Sequence, residues 1–217
     1  LAMSGVAGKV VVVAGASSGM GRATALAAAR EGADVVLAGR NAAALDEVAA
    51  SSGGLAVPTD ATDPEAVGRL VARALDRFGR IDALINAVGT NLRQRSLDQL
   101  TAQSWAMMIE TNLTAAFNLT RAVVPPMRER GDGLIVHIAS VAARRPDMSG
   151  VSYQASKAGV AALAHATMEE ERQNGIRVTA LLPGLTDTPL VLQRPTPPDP
   201  AMLARALKPD DIADTCL

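Results

Sequence analysis

Val10-Val11-Val12-Val13-Ala14-Gly15-Ala16-Ser17-Ser18-Gly19-Met20-Gly21-Arg22-Ala23-Thr24-Ala25 is the segment from which the architecture follows. Its first five residues are apolar, mostly β-branched and too few for a buried helix, so they read as a strand covered on both faces. Three glycines within the next seven residues make a tight turn, and Arg22-Ala23-Thr24-Ala25 opens a helix. Glycine lets the backbone turn sharply and approach a ligand closely. Free N–H groups at the start of the helix favour an anion such as a pyrophosphate.

The same alternation runs outward from this unit. Val35 to Ala38, Leu55 to Val57, Ala83 to Ile85, Leu134 to Ile138 and Val178 to Leu182 are further short apolar runs. Between them, Ala42 to Ala50, Pro64 to Phe78, Ala102 to Arg130 and Val151 to Asn174 are rich in Ala, Leu, Arg and Glu, as helices are. Strand and helix in alternation predict an α/β fold: a doubly wound, mostly parallel sheet of the Rossmann type, with helices on both faces. No linker divides residues 1–217, so one domain is expected. Four prolines between Arg194 and Pro200 exclude a helix or an inner strand there. Residues 185–207 then form either a surface lid or a passive connector.

Composition removes several function classes. The single cysteine, Cys216, cannot close an internal disulfide, and two scattered histidines, His137 and His165, offer no metal cluster. No metal site is expected. With 21 basic and 22 acidic residues intermixed and only 2% aromatics, neither a phosphate-tracking surface nor a base-stacking platform is present, so nucleic acid is not an expected partner. No apolar run reaches the length of a membrane span, and the N-terminus lacks a secretory pattern, so a cytoplasmic location is expected.

The chain has one tyrosine, Tyr153, four residues ahead of Lys157, one of only three lysines. On a helix the two side chains share a face. A free phenol has a pKa of about 10, so proton exchange near neutrality needs a shift of about 3 units, or about 4 kcal/mol. A unit charge about 4 Å away supplies about 4 kcal/mol at an effective dielectric near 20. The pair is therefore either a tuned acid/base or an amphipathic tyrosine beside a solvated lysine.

The G-x-x-x-G-x-G spacing of Gly15, Gly19 and Gly21, taken with Tyr153-x-x-x-Lys157, resembles the short-chain dehydrogenase/reductase family over nearly the whole chain. Ser140, in Ile138-Ala139-Ser140, looks like the family's catalytic serine, and Asn112, in Thr111-Asn112-Leu113, its active-site asparagine. Asn86-Ala87-Val88-Gly89 resembles the segment after the fourth strand. Pro183-Gly184-Leu185-Thr186-Asp187-Thr188 is similar to the stretch that touches the nicotinamide amide. The resemblance implies hydride transfer between a nicotinamide cofactor and a carbonyl or alcohol, with Tyr153 as proton donor and Ser140 polarising the substrate oxygen. Lys157 would lower the tyrosine pKa and bind the nicotinamide ribose, and Asn112 would hold a water linking Lys157 to solvent. Cofactor contacts are implied for Gly15, Ser17, Ser18, Gly19, Met20, Gly21, Asp60, Ala61, Asn86, Ala87, Gly89, Tyr153, Lys157, Pro183, Gly184, Thr186 and Thr188. Asp60 could instead cap the next helix.

Two positions depart from the family pattern: Ala14 replaces a threonine and Ala87 an asparagine. A hydrogen bond between neighbouring strands 1 and 4 exchanged for apolar contact would account for both, and an asparagine restored at Ala87 alone would then be buried without a partner. Arg40 follows the second strand where an NAD-selective site carries an acid, so NADP(H) is expected over NAD(H), with Arg40 on the 2′-phosphate, unless it is simply a solvated arginine opening a helix. Substrate walls are expected at Thr90 to Ser96, Val141 to Gly150 and Leu185 to Gln193, which contain Arg93, Arg95, Arg144 and Arg145. A small-molecule carbonyl or alcohol partner and a homodimer or homotetramer through the two long helices complete the expectation. Lys208 to Leu217 opens a helix, and the resemblance implies a further strand after it. Two other readings stay open: a cofactor-sensing binding protein without turnover, and a purely structural protein.

Overall fold

The computed structural model describes residues 5–217. Six strands, β1 (Val10–Ala14), β2 (Asp34–Gly39), β3 (Leu55–Pro58), β4 (Ala83–Asn86), β5 (Gly133–Ile138) and β6 (Ile176–Leu181), form one sheet in the order β3-β2-β1-β4-β5-β6. Every pairing is parallel, with β1 between β2 and β4. β1 is buried along its whole length, which is why its sequence is apolar without alternation.

Side chains still alternate in direction along each strand, and the helices split into two layers accordingly. Val10, Val12 and Ala14 point into one core with Leu70 of α3 (Pro64–Phe78) and Leu119, Val123 and Met127 of α5 (Ala115–Arg130). Val11 and Val13 point into the other, with Ala25 and Ala28 of α1 (Gly19–Arg30), Leu45 and Val48 of α2 (Ala42–Ser52) and Ile212 and Cys216 of α8 (Pro209–Cys216). The remaining helices are α4 (Ala102–Ile109), α6 (Val151–Glu171) and the short α7 (Pro200–Ala204).

One expected helix is not regular. Between α4 and α5, residues Glu110–Thr114 form a π-helical turn with Asn112 inside it. An extra residue in a turn widens the helix and re-aims side chains, and such turns concentrate at functional sites. The proline-rich segment likewise has structure of its own: a 3-10 turn at Pro189–Gln193, then α7. Its base is tied, since Asp187 N donates to Leu207 O at 2.8 Å and Leu207 N to Leu185 O at 3.0 Å.

Candidate active site

The turn after β1 and the start of α1 line a cleft of ≈ 1000 Å³ at the C-terminal edge of the sheet. Glycine is required there for stated reasons. Gly15 has φ +83, and a Cβ on it would lie 2.8 Å from Ala87 O; a Cβ on Gly21 would collide with the Gly15 carbonyl oxygen. α2, α3, α4 and α7 begin with side-chain caps from Asn41, Asp63, Thr101 and Asp199, whereas the Ser18 side chain gives α1 none. The first N–H groups of α1 therefore face the cleft without a side-chain acceptor, an arrangement suited to an anion.

Twelve of the residues expected on the cofactor meet in this cleft: Gly15, Ser17, Ser18, Gly19, Met20, Gly21, Arg40, Asp60, Ala61, Ala87, Gly89 and Thr188. Arg40 is exposed and has no ion pair among the described residues. Asp60 does not cap α3; its Oδ1 accepts from Thr62 N and Oγ1 at 3.0 and 2.8 Å, and Asp63 caps the helix. These two bonds hold the Asp60 carboxyl below the usual range against the opposing effect of burial, and the Arg40 charge adds a lesser contribution in the same direction as the bonds.

A second cleft of ≈ 660 Å³ adjoins the first, since Met20, Thr188 and Leu190 line both. It gathers Ser140, Tyr153, Pro183, Gly184 and Thr186. Ser140 follows β5 by two residues in extended backbone, at the start of a 3-10 turn, and its Oγ accepts from Ala142 N at 3.2 Å. Tyr153 and Lys157 lie one turn apart on α6, with Lys157 Nζ 5.9 Å from the centre of the phenol ring. The phenol and the Ser140 hydroxyl are close neighbours, without a bond of standard geometry between them.

The phenol's acidity differs from the sequence expectation. Burial raises the Tyr153 pKa above 10, outweighing the opposing effects of Ser140, Arg95 and Arg194, and Asp147 adds to the rise. Lys157 is itself 4% exposed, and burial pushes its ammonium down to about 8. Its Nζ donates to Ile138 O at 3.0 Å. In this structure the phenol therefore keeps its proton at neutral pH, because desolvation acts on both members of the pair.

Three expected site residues line neither cleft and sit beneath them. Lys157 packs under Gly89, whose Cβ would lie 3.0 Å from Nζ. Asn112 is 1% exposed, and its side chain is committed to the chain: Oδ1 accepts from Thr90 N at 2.8 Å, while Nδ2 donates to Thr90 O at 3.1 Å and Ser156 Oγ at 3.0 Å. It clamps the Thr90 loop. Asn86 is also withdrawn from the cleft. Its Oδ1 accepts from Val88 N at 3.0 Å and its Nδ2 donates to Nδ1 of His137 at 3.0 Å.

His137 extends this network on the far side, where Nε2 lies 3.2 Å from Thr120 Oγ1. The Thr120 hydroxyl donates to Ala116 O at 2.8 Å, so it accepts from His137. That requires the neutral ring with hydrogen on Nε2 and a free acceptor at Nδ1. Burial first, then the Lys157 charge, lowers the His137 pKa to about 4, in accord with that state. His137 lies inside an apolar strand, and its role depends on partners 17 and 51 residues away in sequence.

The expectation at Ala87 also changes. Ala14 faces Asn86 across β1 and β4, so the strand adjacency holds. Ala87, however, is half-exposed on the cleft wall against Gly15 and Gly21, and an asparagine there would meet the cleft on one side, not a sealed core. The substrate walls arise from the three expected segments, with Arg194 in addition; of the four arginines in those segments only Arg95 lines the cleft. Asn118, missed in sequence, donates from Nδ2 to Ala61 O and Thr62 O at 3.1 Å and so shapes the far end of the first cleft. Its only sequence signal is an asparagine inside a helix, where it is a poor former.

Among known proteins, the chain matches the family model described as short chain dehydrogenase over residues 9–198. It is 35% identical over 212 residues to an uncharacterized oxidoreductase of Staphylococcus aureus (strain MRSA252), covering 96% of this chain and 89% of that one. A 3-ketoacyl-(acyl-carrier-protein) reductase from Brucella melitensis, solved with NADH, superposes with a TM-score of 0.90 at 32% identity, covering 97% of this chain and 90% of the other. A structure from Brucella melitensis 16M described as ribose-5-phosphate isomerase has a TM-score of 0.92 at 30% identity, covering 99% and 86%. Names of different reactions on one fold mean that chemistry has to be argued from the site. The six-stranded parallel sheet, the glycine-floored cleft and the family match together show that this chain is an oxidoreductase of the short-chain dehydrogenase family.

Proposed function

We propose that the protein uses NADP(H) to interconvert a carbonyl compound and its secondary alcohol, with Tyr153 as the proton donor and acceptor. The carrying observation is a buried phenol lining the cleft that adjoins the glycine cleft, with an ammonium near its ring that has no carboxylate partner among the described residues. The nicotinamide cofactor supplies hydride to the carbonyl carbon, or removes it from the alcohol carbon in reverse. Gly15, Ser17, Ser18, Gly19, Met20 and Gly21 hold its pyrophosphate with the N-terminus of α1. Arg40 pairs with the 2′-phosphate, Asp60 and Ala61 flank the adenine, and Pro183, Gly184, Thr186 and Thr188 take the nicotinamide amide.

The raised phenol pKa suits the reductive direction, which starts from protonated tyrosine. Ser140 Oγ donates to the substrate oxygen and the Tyr153 Oη proton moves to it as negative charge develops. A buried Lys157 ammonium, with Nζ 5.9 Å from the centre of the ring, gains when the phenol becomes negative. That gain exists only once the proton has left, so it stabilises the transition state more than the ground state. Residues 185–207 act as a lid that excludes water, and the protein works in the cytosol as a dimer or tetramer.

The test has two parts. Tyr153→Phe should retain nucleotide binding and lose at least about 1000-fold in carbonyl-dependent NADPH oxidation; unchanged turnover ends the proposal, and a wild-type protein that binds nucleotide yet reduces no aldehyde, ketone or β-keto ester is a cofactor sensor instead. Arg40→Asp should move preference from NADPH toward NADH, and an unchanged ratio removes the NADP(H) assignment.

A further inference from the structure

We infer that the substrate carries an anionic group, held between Arg95 and Arg194 in the second cleft, so that the carbonyl compound is an oxo acid or its phosphorylated counterpart. The inference rests on the proposed reductase chemistry for the position of the reacting carbonyl, and on the cleft itself for the anion.

Arg95 is 7% exposed, and both its neighbours and its charge are unusual for a buried cation. Its Nε donates to Leu92 O and its Nη2 to Gln193 O, both at 2.6 Å. Neutral carbonyls satisfy geometry but do not compensate a charge, and no carboxylate lies within ion-pair distance among the described residues. A guanidinium has five N–H donors, so Arg95 keeps donors for a ligand after these two bonds. Buried cations are otherwise found paired, because desolvation without a partner is costly.

Arg194 sharpens the case. It lines the same cleft, half-buried, and forms neither a side-chain hydrogen bond nor an ion pair with a described residue. Its charge acts directly on Arg95, whose pKa is lowered first by burial and then by Arg194. Two like charges facing one cavity repel, and an anion bound between them removes that repulsion while supplying the missing counter-charge. Among the described residues Asp147 is the single carboxylate lining this cleft; it is exposed, its Oδ1 accepts from Ser149 N at 2.8 Å, and it forms an ion pair with neither arginine, although its charge acts weakly on Arg95. Met20, Leu190 and Val191 add apolar wall to this cleft beside the polar Asn91, Ser149 and Thr186, so the body between carbonyl and anion meets both kinds of surface. Both arginines also act electrostatically on the Tyr153 phenol, so the anion site and the reacting centre share one cavity.

The experiment uses matched probes. Reduction of para-formylbenzoate is compared with that of its methyl ester. Binding of benzoate, phenyl phosphate and benzamide is measured by calorimetry in the presence of oxidised cofactor. The acid should be preferred over the ester by about 10- to 100-fold in kcat/KM, and benzoate or phenyl phosphate should bind more tightly than benzamide by a similar factor. The stronger of the two anions identifies carboxylate or phosphate. Arg194→Gln, which breaks no side-chain bond to a described residue, should bring both the acid-to-ester ratio of kcat/KM and the benzoate-to-benzamide ratio of affinities toward one; Arg95→Gln, as the second variant, should do the same. Equal treatment of acid and ester, and of benzoate and benzamide, overturns the inference and leaves the reductase reading standing. Selective benzoate binding, lost in Arg194→Gln, without reduction of any aldehyde supports the anion site and ends the reductase reading.

Discussion

Burying the Lys157 ammonium without a carboxylate costs about 3 kcal/mol, judged from the drop from its usual 10.5 to about 8. A folded-state pKa below the unfolded value means that the unfolded chain holds the proton more tightly. The penalty is complete below about pH 8 and is relieved as pH rises from 8 to 10.5, so stability increases across that window. Lys157→Met should therefore stabilise the ligand-free protein at pH 7 by about 1–3 kcal/mol in urea unfolding, lose the alkaline rise, and lose activity. A destabilised variant would show that the Ile138 hydrogen bond outweighs desolvation. Spacing alone named Tyr153 and Lys157 as a pair, since helical geometry makes residues four apart neighbours. The direction of the phenol's shift was not legible, because it depends on how much of α6 the fold covers, and coverage is a tertiary quantity.

At the scale of elements, the β1 turn and α1 form a unit whose glycines act through contact as much as flexibility. Gly21→Ala would press a Cβ onto the Gly15 carbonyl and approach the Ala87 side chain at 3.1 Å. It should cost about 2–3 kcal/mol of stability and weaken nucleotide binding by at least about tenfold, measured by unfolding and by fluorescence titration. The second element-scale device joins α5, β5, β4 and the loop after it, through Thr120, His137 and Asn86 to Val88 N. His137 stays neutral in the fold down to about pH 4, while in the unfolded chain it protonates near 6.5. Stability should thus fall by about 1.4 kcal/mol per pH unit as pH drops from 6.5 to 4, and His137→Gln should lack this acid limb. An unchanged limb would assign the acid sensitivity elsewhere. The strands of this device were readable from their apolar runs. The network was not, since no local pattern pairs a histidine with partners on two other elements.

For the whole molecule, the sheet leaves α4, α5 and α6 with exposed large apolar side chains, among them Trp105 at 42%, Phe117 at 47% and Met168 at 42%. Apolar surface of this kind on neighbouring helices suits contact with a second copy of the chain. Sedimentation should give a dimer or tetramer, and Phe117→Asp should shift it toward monomer; a monomeric wild type would remove this reading. By itself the sequence determined the parallel α/β architecture, the position of the glycine turn and the one-turn spacing of Tyr153 and Lys157, because strand and helix periodicity and short turns are local properties. Only the tertiary structure decided that the Asn86 and Asn112 side chains bond to the chain's own loops, that burial raises the phenol's pKa, and that Arg95 and Arg194 share a cavity with no ion pair to either among the described residues. Those outcomes depend on desolvation and on groups distant in sequence, which the order of residues does not express.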